Sequence, residues 1–225
     1  AVPVIVPTFG ILAWTKEELN MIDIKTRKIL CMNGSFHING DVDRLYLPRE
    51  HGGRGLRSIF SSYQTRIVAL HQHLTQAARH NPFISKVLNH EADGICRIAT
   101  EIAQLFVLSL TSPAPPRSAG IAVTRAHQNL RKDAFTSKAM HGYLAREMAN
   151  KNGVNYSQSV SWQKNRLMTS HFEGYAHAIQ EQEISTKFWV NKRMVDAGKI
   201  PKMDNKCRLC RKAQEDISHV IGGCS

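Results

Sequence analysis

The sequence predicts a mainly α-helical protein: two helical regions followed by a small C-terminal Cys-Cys-His-Cys zinc knuckle. Three observations predict it. Apolar residues recur at spacings of three and four along most of the 225-residue chain. Gly, Pro and Asn-Gly breaks are sparse and fall between those segments. Three of the five cysteines lie within Cys207–Cys224, the distribution of a metal site in a reducing compartment and not of a disulfide framework.

The elements follow in order. Thr15-Lys-Glu-Glu18 has the form of a capping box, with Trp14 and Leu19 placed as a hydrophobic staple. A helix is expected from Lys16 to about Cys31, stopped at Asn33-Gly34. Residues 41–56 read as irregular: Arg44-Leu-Tyr-Leu47 fits a short strand, closed by Pro48 and the Gly52-Gly53-Arg54-Gly55 turn. Leu56, Ile59, Phe60, Tyr63, Ile67, Leu70 and Leu74 then mark a helix, with Arg57, Gln64, Arg66, Gln72 and Gln76 on its other face. Asn81-Pro82 breaks it, and a further helix is expected from about Ile84 to Leu110, interrupted at Asp93-Gly94.

Three prolines stiffen residues 111–120, which read as a linker between a first helical region, 1–110, and a basic helical domain, 121–200. Helices are expected over 121–149, 158–170 and 172–197, with Asn152-Gly153 as a stop. Residues 201–225 form the knuckle.

Composition narrows the function. Neither apolar run, Ala1–Pro7 or Ile102–Leu110, approaches the ~20 residues of a spanning helix, so no membrane partner is expected. The start at Ala1, without Met, reads as a fragment or processed product. The net charge is +12. Residues 1–110 hold twelve basic and nine acidic side chains, residues 111–225 eighteen and nine. Within 187–212 nine basic residues face two acidic ones. Such clusters condense onto phosphate and release counterions, which points to nucleic acid. The competing reading is a solvated face with no ligand.

Cys207-x2-Cys210-x8-His219-x4-Cys224 is the sharpest chemical signal. Three thiolates and an imidazole suit tetrahedral zinc, and four protein ligands leave no position for water, so the zinc is expected to be structural. Lys206, Arg208, Arg211 and Lys212 favour the thiolate forms. No aromatic lies between Cys207 and Ser225, so Phe188 and Trp189 are the nearest candidates for base stacking, with a place in the core as the competing role. Asp41 and Asp43 read as turn and cap residues, and Glu181 and Glu183 as pointing to different helix faces. No catalytic role is assigned to either pair. Cys31 and Cys96 read as buried thiols, His71 and His73 as surface residues, and Gly142 as a tight helix contact.

Arg44-Leu-Tyr-Leu-Pro-Arg49 with Gly52-Gly-Arg-Gly-Leu56 resembles the segment after the polymerase palm in reverse transcriptases of non-LTR retrotransposons. Lys138-Ala-Met-His-Gly-Tyr-Leu-Ala-Arg146 and Glu173-Gly174…Gln180-x-Gln182…Thr186 resemble later blocks of the same reading frames, and the cysteine cluster stands where the family carries its knuckle. The resemblance, nearest to the branch ending in a restriction-like endonuclease, spans most of the chain. It implies a thumb, linker and knuckle fragment of an RNA-directed DNA polymerase that works by target-primed reverse transcription, with 1–110 as the thumb-like and following helical region and 121–200 as the linker domain. The family's polymerase aspartates lie upstream and its nuclease carboxylates downstream, so this stretch is expected to be inactive alone. Its partners would be RNA, RNA–DNA heteroduplex or DNA, together with the rest of the polyprotein, inside the cell and at the nucleus. Pro7 departs from the continuous apolar helix of relatives.

The expected nucleic-acid contacts are Arg44, Arg49 and Arg54 around the glycine turn, then Arg131, Lys132, Lys138 and Arg146 on the following helices. Lys192, Arg193, Arg208, Arg211 and Lys212 extend the set toward the knuckle. Without the resemblance, an ordinary glycine turn with solvated arginines explains the first group equally well. A stand-alone nucleic-acid-binding module derived from such an element, or a zinc-stapled protein-interaction scaffold, are the alternative functions.

Overall fold

The computed structural model describes residues 2–90, 94–108, 115–150, 155–164, 168–181, 183–201 and 203–224. Helices α1 (Val2–Ile5) and α2 (Lys16–Met32) flank a 3₁₀ turn at Val6–Gly10. Pro7 stands in the first turn of that 3₁₀ segment, where a missing N–H costs little. The Thr15–Glu18 capping box is present: the Glu18 amide donates to the Thr15 hydroxyl at 3.2 Å, and the Thr15 amide to the Glu18 carboxylate at 2.9 Å. Leu19 is fully buried in the core, and Trp14 packs against the same cluster.

Next come α3 (Val42–Tyr46), a 3₁₀ turn at Arg49–His51, α4 (Ile59–Ala78), α5 (Pro82–His90), α6 (Ile95–Leu105) and α7 (Pro116–Ser137). The strand expected at Arg44–Leu47 is absent: Val42–Tyr46 is a helical turn whose N-cap, Asp41, accepts the Arg44 amide. Leu45, Tyr46 and Leu47 are all buried, on a short turn enclosed by its neighbours. At the glycine turn, a Cβ on Gly53 would sit 2.2 Å from the Leu47 carbonyl oxygen.

One core unites the first two thirds of the chain. Phe9, Leu19, Ile59, Tyr63, Ile67, Val68, Ala99, Ile102 and Val123 pack together, and Ala119 packs against them. Residues on both sides of 111–120 therefore share one interior. The linker expected there gives way in its second half, because Pro116–Gly120 is the opening turn of α7. Its first residues, 111–114, lie outside the described residues. Gly120 passes close over α4, with space for a Cβ only at contact distance from Thr65 and Ala69.

The remaining helices are α8 (Tyr143–Asn150), α9 (Tyr156–Ser159), α10 (Ser161–Lys164), α11 (Ser170–Gln180), α12 (Lys187–Asp196) and α13 (Ile217–Gly222). The continuous helices expected over 121–149, 158–170 and 172–197 are each interrupted. At 138–142 the chain folds back: a Cβ on Gly142 would meet the Phe135 carbonyl oxygen at 2.3 Å, which accounts for the glycine. The Arg146 guanidinium fills the break, donating to the carbonyls of Thr136, Lys138 and Ala139. A cation there meets the negative end of the α7 dipole. The expected stops at Asp93 and Asn152-Gly153 lie outside the described residues. Cys31 and Cys96 are half-buried, as is His71, whereas His73 is exposed.

Candidate metal centre and nucleic-acid interface

The C-terminal cysteines are brought together by short local structure. An isolated antiparallel bridge joins Lys206 to Gln214, and the Cys207 amide donates to the Ala213 carbonyl at 2.8 Å. The turn between them closes with Arg211 in the left-handed region at φ 56°. Asp216 caps α13 by accepting the His219 amide at 2.8 Å, which turns His219 toward the turn. The result places Cys210 Sγ 3.1 Å from His219 Nε2 and Cys207 Sγ 3.7 Å from Cys224 Sγ. All four donor atoms lie within 4.8 Å of one another.

Backbone amides surround the sulfurs. Amides of Cys210 and Leu209 hold the Cys207 thiol below its ordinary pKa, and those of Lys212 and Ala213 bring Cys210 down to about 6. Burial pushes Cys224 up to about 11. Oriented N–H groups stabilise thiolate, so donor set and surroundings both fit a group that can hold a metal ion.

Glu215 ties this unit to α12. Its buried carboxylate accepts the Lys187 amide at 2.9 Å, at the start of α12, and the Arg208 amide at 2.8 Å. It also pairs with the Arg208 guanidinium, which holds the carboxyl down to about 2. Asn191 of α12 donates to Asp204 and Asn205.

The expected nucleic-acid residues divide into two groups. Eight face partners within the chain. Arg44 is buried, with Nε on the Gly52 carbonyl at 2.9 Å and Nη1 on Glu181 at 3.3 Å. Arg49 and Arg54 both engage Glu173, itself only 5 % exposed. Lys138 bridges Asp41 and Asp43. Arg146 caps α7 as described, Arg193 pairs with Glu183 at 3.1 Å, and Arg208 pairs with Glu215. Glu181 and Glu183 follow α11 instead of lying on a helix, and both are buried. His141 Nε2 reaches Glu183 at 2.8 Å.

The eighth is Arg131, whose guanidinium lies 3.9 Å from Asp43, and the remaining four are Lys132, Lys192, Arg211 and Lys212. Lys132, Arg211 and Lys212 are exposed, and Lys192 lies over the Trp189 ring at 4.9 Å. Phe188 and Trp189 are half-buried and packed edge-to-face, so their rings are largely covered.

Arg131 belongs to a groove that the sequence reading did not assemble. Its guanidinium stacks on Tyr46 at 4.3 Å and donates to the Ser61 hydroxyl. The groove runs between α4, α7 and the 54–58 segment and has a volume of about 710 Å³. Arg49, Arg54, Arg57, Arg66 and Arg131 line it, with Ser58, Ser61, Ser62, Thr65 and Thr124, and no carboxylate does. Arg57 and Arg66 are exposed and make no ion pair among the described residues. The signal for them was legible: Ile59–Ala78 contains no Asp or Glu. Their convergence was not, because it depends on α7 packing across α4.

No helix among the described residues is long and apolar enough to cross a membrane. No protein-family model, curated protein or solved structure matches the chain.

Proposed function

We propose that the chain binds nucleic acid through its phosphate backbone, in the α4–α7 groove, and that its C-terminal unit is held by structural zinc. The observation that carries this reading is the groove itself: five arginines and five serine and threonine side chains on its walls, with no carboxylate. Arg49 and Arg54 share Glu173 behind the wall and Arg131 lies 3.9 Å from Asp43, so the charge open to a phosphodiester, whatever its base sequence, is that of Arg57 and Arg66. Arg57 and Arg66 supply unpaired charge, and Arg131 is pre-oriented by Tyr46. Exposed Arg211, Lys212 and Lys132 extend the positive surface. Arg49 and Arg54 serve this interface by shaping its wall, whereas Arg44 is buried outside the groove.

Zinc is favoured by the donor set. Three sulfurs and an imidazole around an ion with metal–sulfur bonds of about 2.3 Å give a tetrahedral edge of about 3.8 Å between sulfurs, and Cys207 and Cys224 stand at 3.7 Å.

The blocks at 44–56, 138–146 and 173–186 support a finer reading, that of the thumb, linker and knuckle of a non-LTR retrotransposon reverse transcriptase. Under that reading the ligand is RNA, heteroduplex or target DNA at the nucleus. The outward face of α2, with Met21, Ile24, Ile29 and Met32 exposed, then meets the rest of the polyprotein. Titrating the zinc-loaded chain with duplex DNA and heteroduplex across a salt series tests the groove. Arg57→Ala and Arg66→Ala should each weaken binding to all sequences alike and flatten the log–log slope by about one unit. Unchanged slopes in both variants would remove the groove from the binding surface.

A further inference from the structure

The face of α11 turned to solvent carries two aromatic rings with no ring or cation partner among the described residues. Phe172 is 70 % exposed and Tyr175 is 62 % exposed. They are three residues apart, so they stand side by side on one helix surface. The opposite surface is occupied: Glu173, Gly174, His177 and Ala178 are buried, and Gly174 passes so close to the Ser35 carbonyl that a Cβ would sit 2.8 Å from it. The orientation of the helix is thus fixed by packing, and the rings are left outside. Exposed aromatics paired in this way are uncommon on a surface that binds nothing.

The surroundings say what they fit. Glu173 is the one acidic residue of Ser170–Gln180, and Arg49 and Arg54 neutralise it from below. The outward face therefore presents aromatic surface without negative charge. It also begins beside the groove: Arg54, on the groove wall, donates to the Ser170 carbonyl at 3.4 Å, in the first turn of α11. Free rings next to a phosphate-binding groove match an unstacked base, since every base has a π-face and its backbone carries the opposite charge to the groove. A paired duplex keeps its bases inside the stack and offers these rings nothing.

We infer that Phe172 and Tyr175 form a stacking platform for unpaired bases, so that the site takes a single strand in preference to a duplex. The inference rests on the groove reading above and adds the form of the nucleic acid. A strand laid along Arg66, Arg57 and Arg131 would leave past Arg54 and set its next bases on the two rings.

The test uses the full zinc-loaded chain and an unpaired oligonucleotide of about 15 nucleotides, within the footprint of known single-strand binders, with the matching duplex as control. The double substitution Phe172→Ala/Tyr175→Ala replaces exposed side chains and should leave the melting temperature near that of the unsubstituted chain. It should weaken the single strand by about tenfold or more, from stacking worth roughly 1–3 kcal/mol per base, and leave duplex affinity and both salt slopes unchanged. A 2-aminopurine in the strand should be quenched by the unsubstituted chain and not by the variant. Equal single-strand affinity in the two proteins would overturn the platform and favour a protein as the occupant of that face. Equal weakening of strand and duplex would overturn it as well. In either case, slopes still lowered by Arg57→Ala and Arg66→Ala keep the groove. No binding by the unsubstituted chain at low salt ends both readings.

Discussion

Asp23 of α2 and Ser58 at the head of α4 are joined by a buried hydrogen bond of 2.7 Å. The second carboxylate oxygen of Asp23 accepts the Ile59 amide at 2.8 Å. One helix thus caps another: Asp23 satisfies a donor of α4 that no residue of α4 can reach, while Ser58 itself serves the Ser61 amide. Asp23→Ala should cost about 3 kcal/mol, combining a lost cap with buried donors left unpaired. Urea denaturation at unchanged m-value is the measurement. A loss under about 0.5 kcal/mol would place Asp23 among ordinary surface-type substitutions and discredit the cap.

Glu173 should be the costliest single carboxylate to neutralise. Its two oxygens face Arg49 and Arg54, and removing the charge leaves two confined guanidiniums without a counterion. Glu173→Gln keeps the shape and should destabilise the chain by about 3–5 kcal/mol. A thermal melt unchanged from the parent would show that solvent takes over the pairing.

His177 makes stability fall in acid. Burial, then the charges of Arg44, Arg54 and Arg49, bring its pKa down to about 2. The neutral ring lies 3.0 Å from Gln163, whose side-chain amide then reaches the carbonyls of Gly53 and Gly52. In the unfolded chain the same ring protonates near pH 6.5. Between those values the unfolded state holds the extra proton, so stability is present above about pH 6.5 and declines by about 1.4 kcal/mol per unit below it. His127, brought down to about 4 by burial, adds to the decline in the same direction. Unfolding free energies from pH 7 to 5 should slope downward in the parent and less steeply, by about one proton, in His177→Gln. Parallel slopes would mean that His177 is not held neutral.

Under the zinc proposal, chelation should unfold one region and spare another. Zinc binding to such a ligand set is worth on the order of 10 kcal/mol at pH 7, and only Cys207 and Ile217 of the cluster's apolar residues are deeply buried. Chelator, or Cys207→Ser, should release amide protection across 203–224 and the first turn of α12. The Ile67–Val68 stretch of α4 should stay protected. Hydrogen exchange reads both regions at once. Protection retained at the cysteines would show that the unit folds without metal.

Local chemistry was legible in the sequence, and long-range pairing was not. Thr15 and Glu18 announce their capping box because both partners lie within one turn. The grouping of Cys207, Cys210, His219 and Cys224 is legible because each pair is local and the residue types are few. Arg44, Arg49 and Arg54 carry the same charge whether they face solvent or a carboxylate, and their partners Glu181 and Glu173 lie more than a hundred residues away. The apolar flanks of Tyr46 imitate a strand because a short buried turn needs no periodicity of its own. The break at 138–142 hides in residues that all tolerate a helix. It is made by Gly142 meeting Phe135, and by Arg146 reaching back over the gap.

The separation between Arg49 and Glu173, 124 residues along the chain, also sets an order of events during synthesis. At about 5–20 residues per second, a ribosome needs roughly 6–25 s after releasing Arg49 to deliver its counterion. For that interval the nascent chain shows an uncompensated cluster of three arginines while α2, α4 and α7 are already free to pack. Any polyanion nearby, the ribosome's own RNA included, can hold the 44–54 segment until α11 emerges and takes it over.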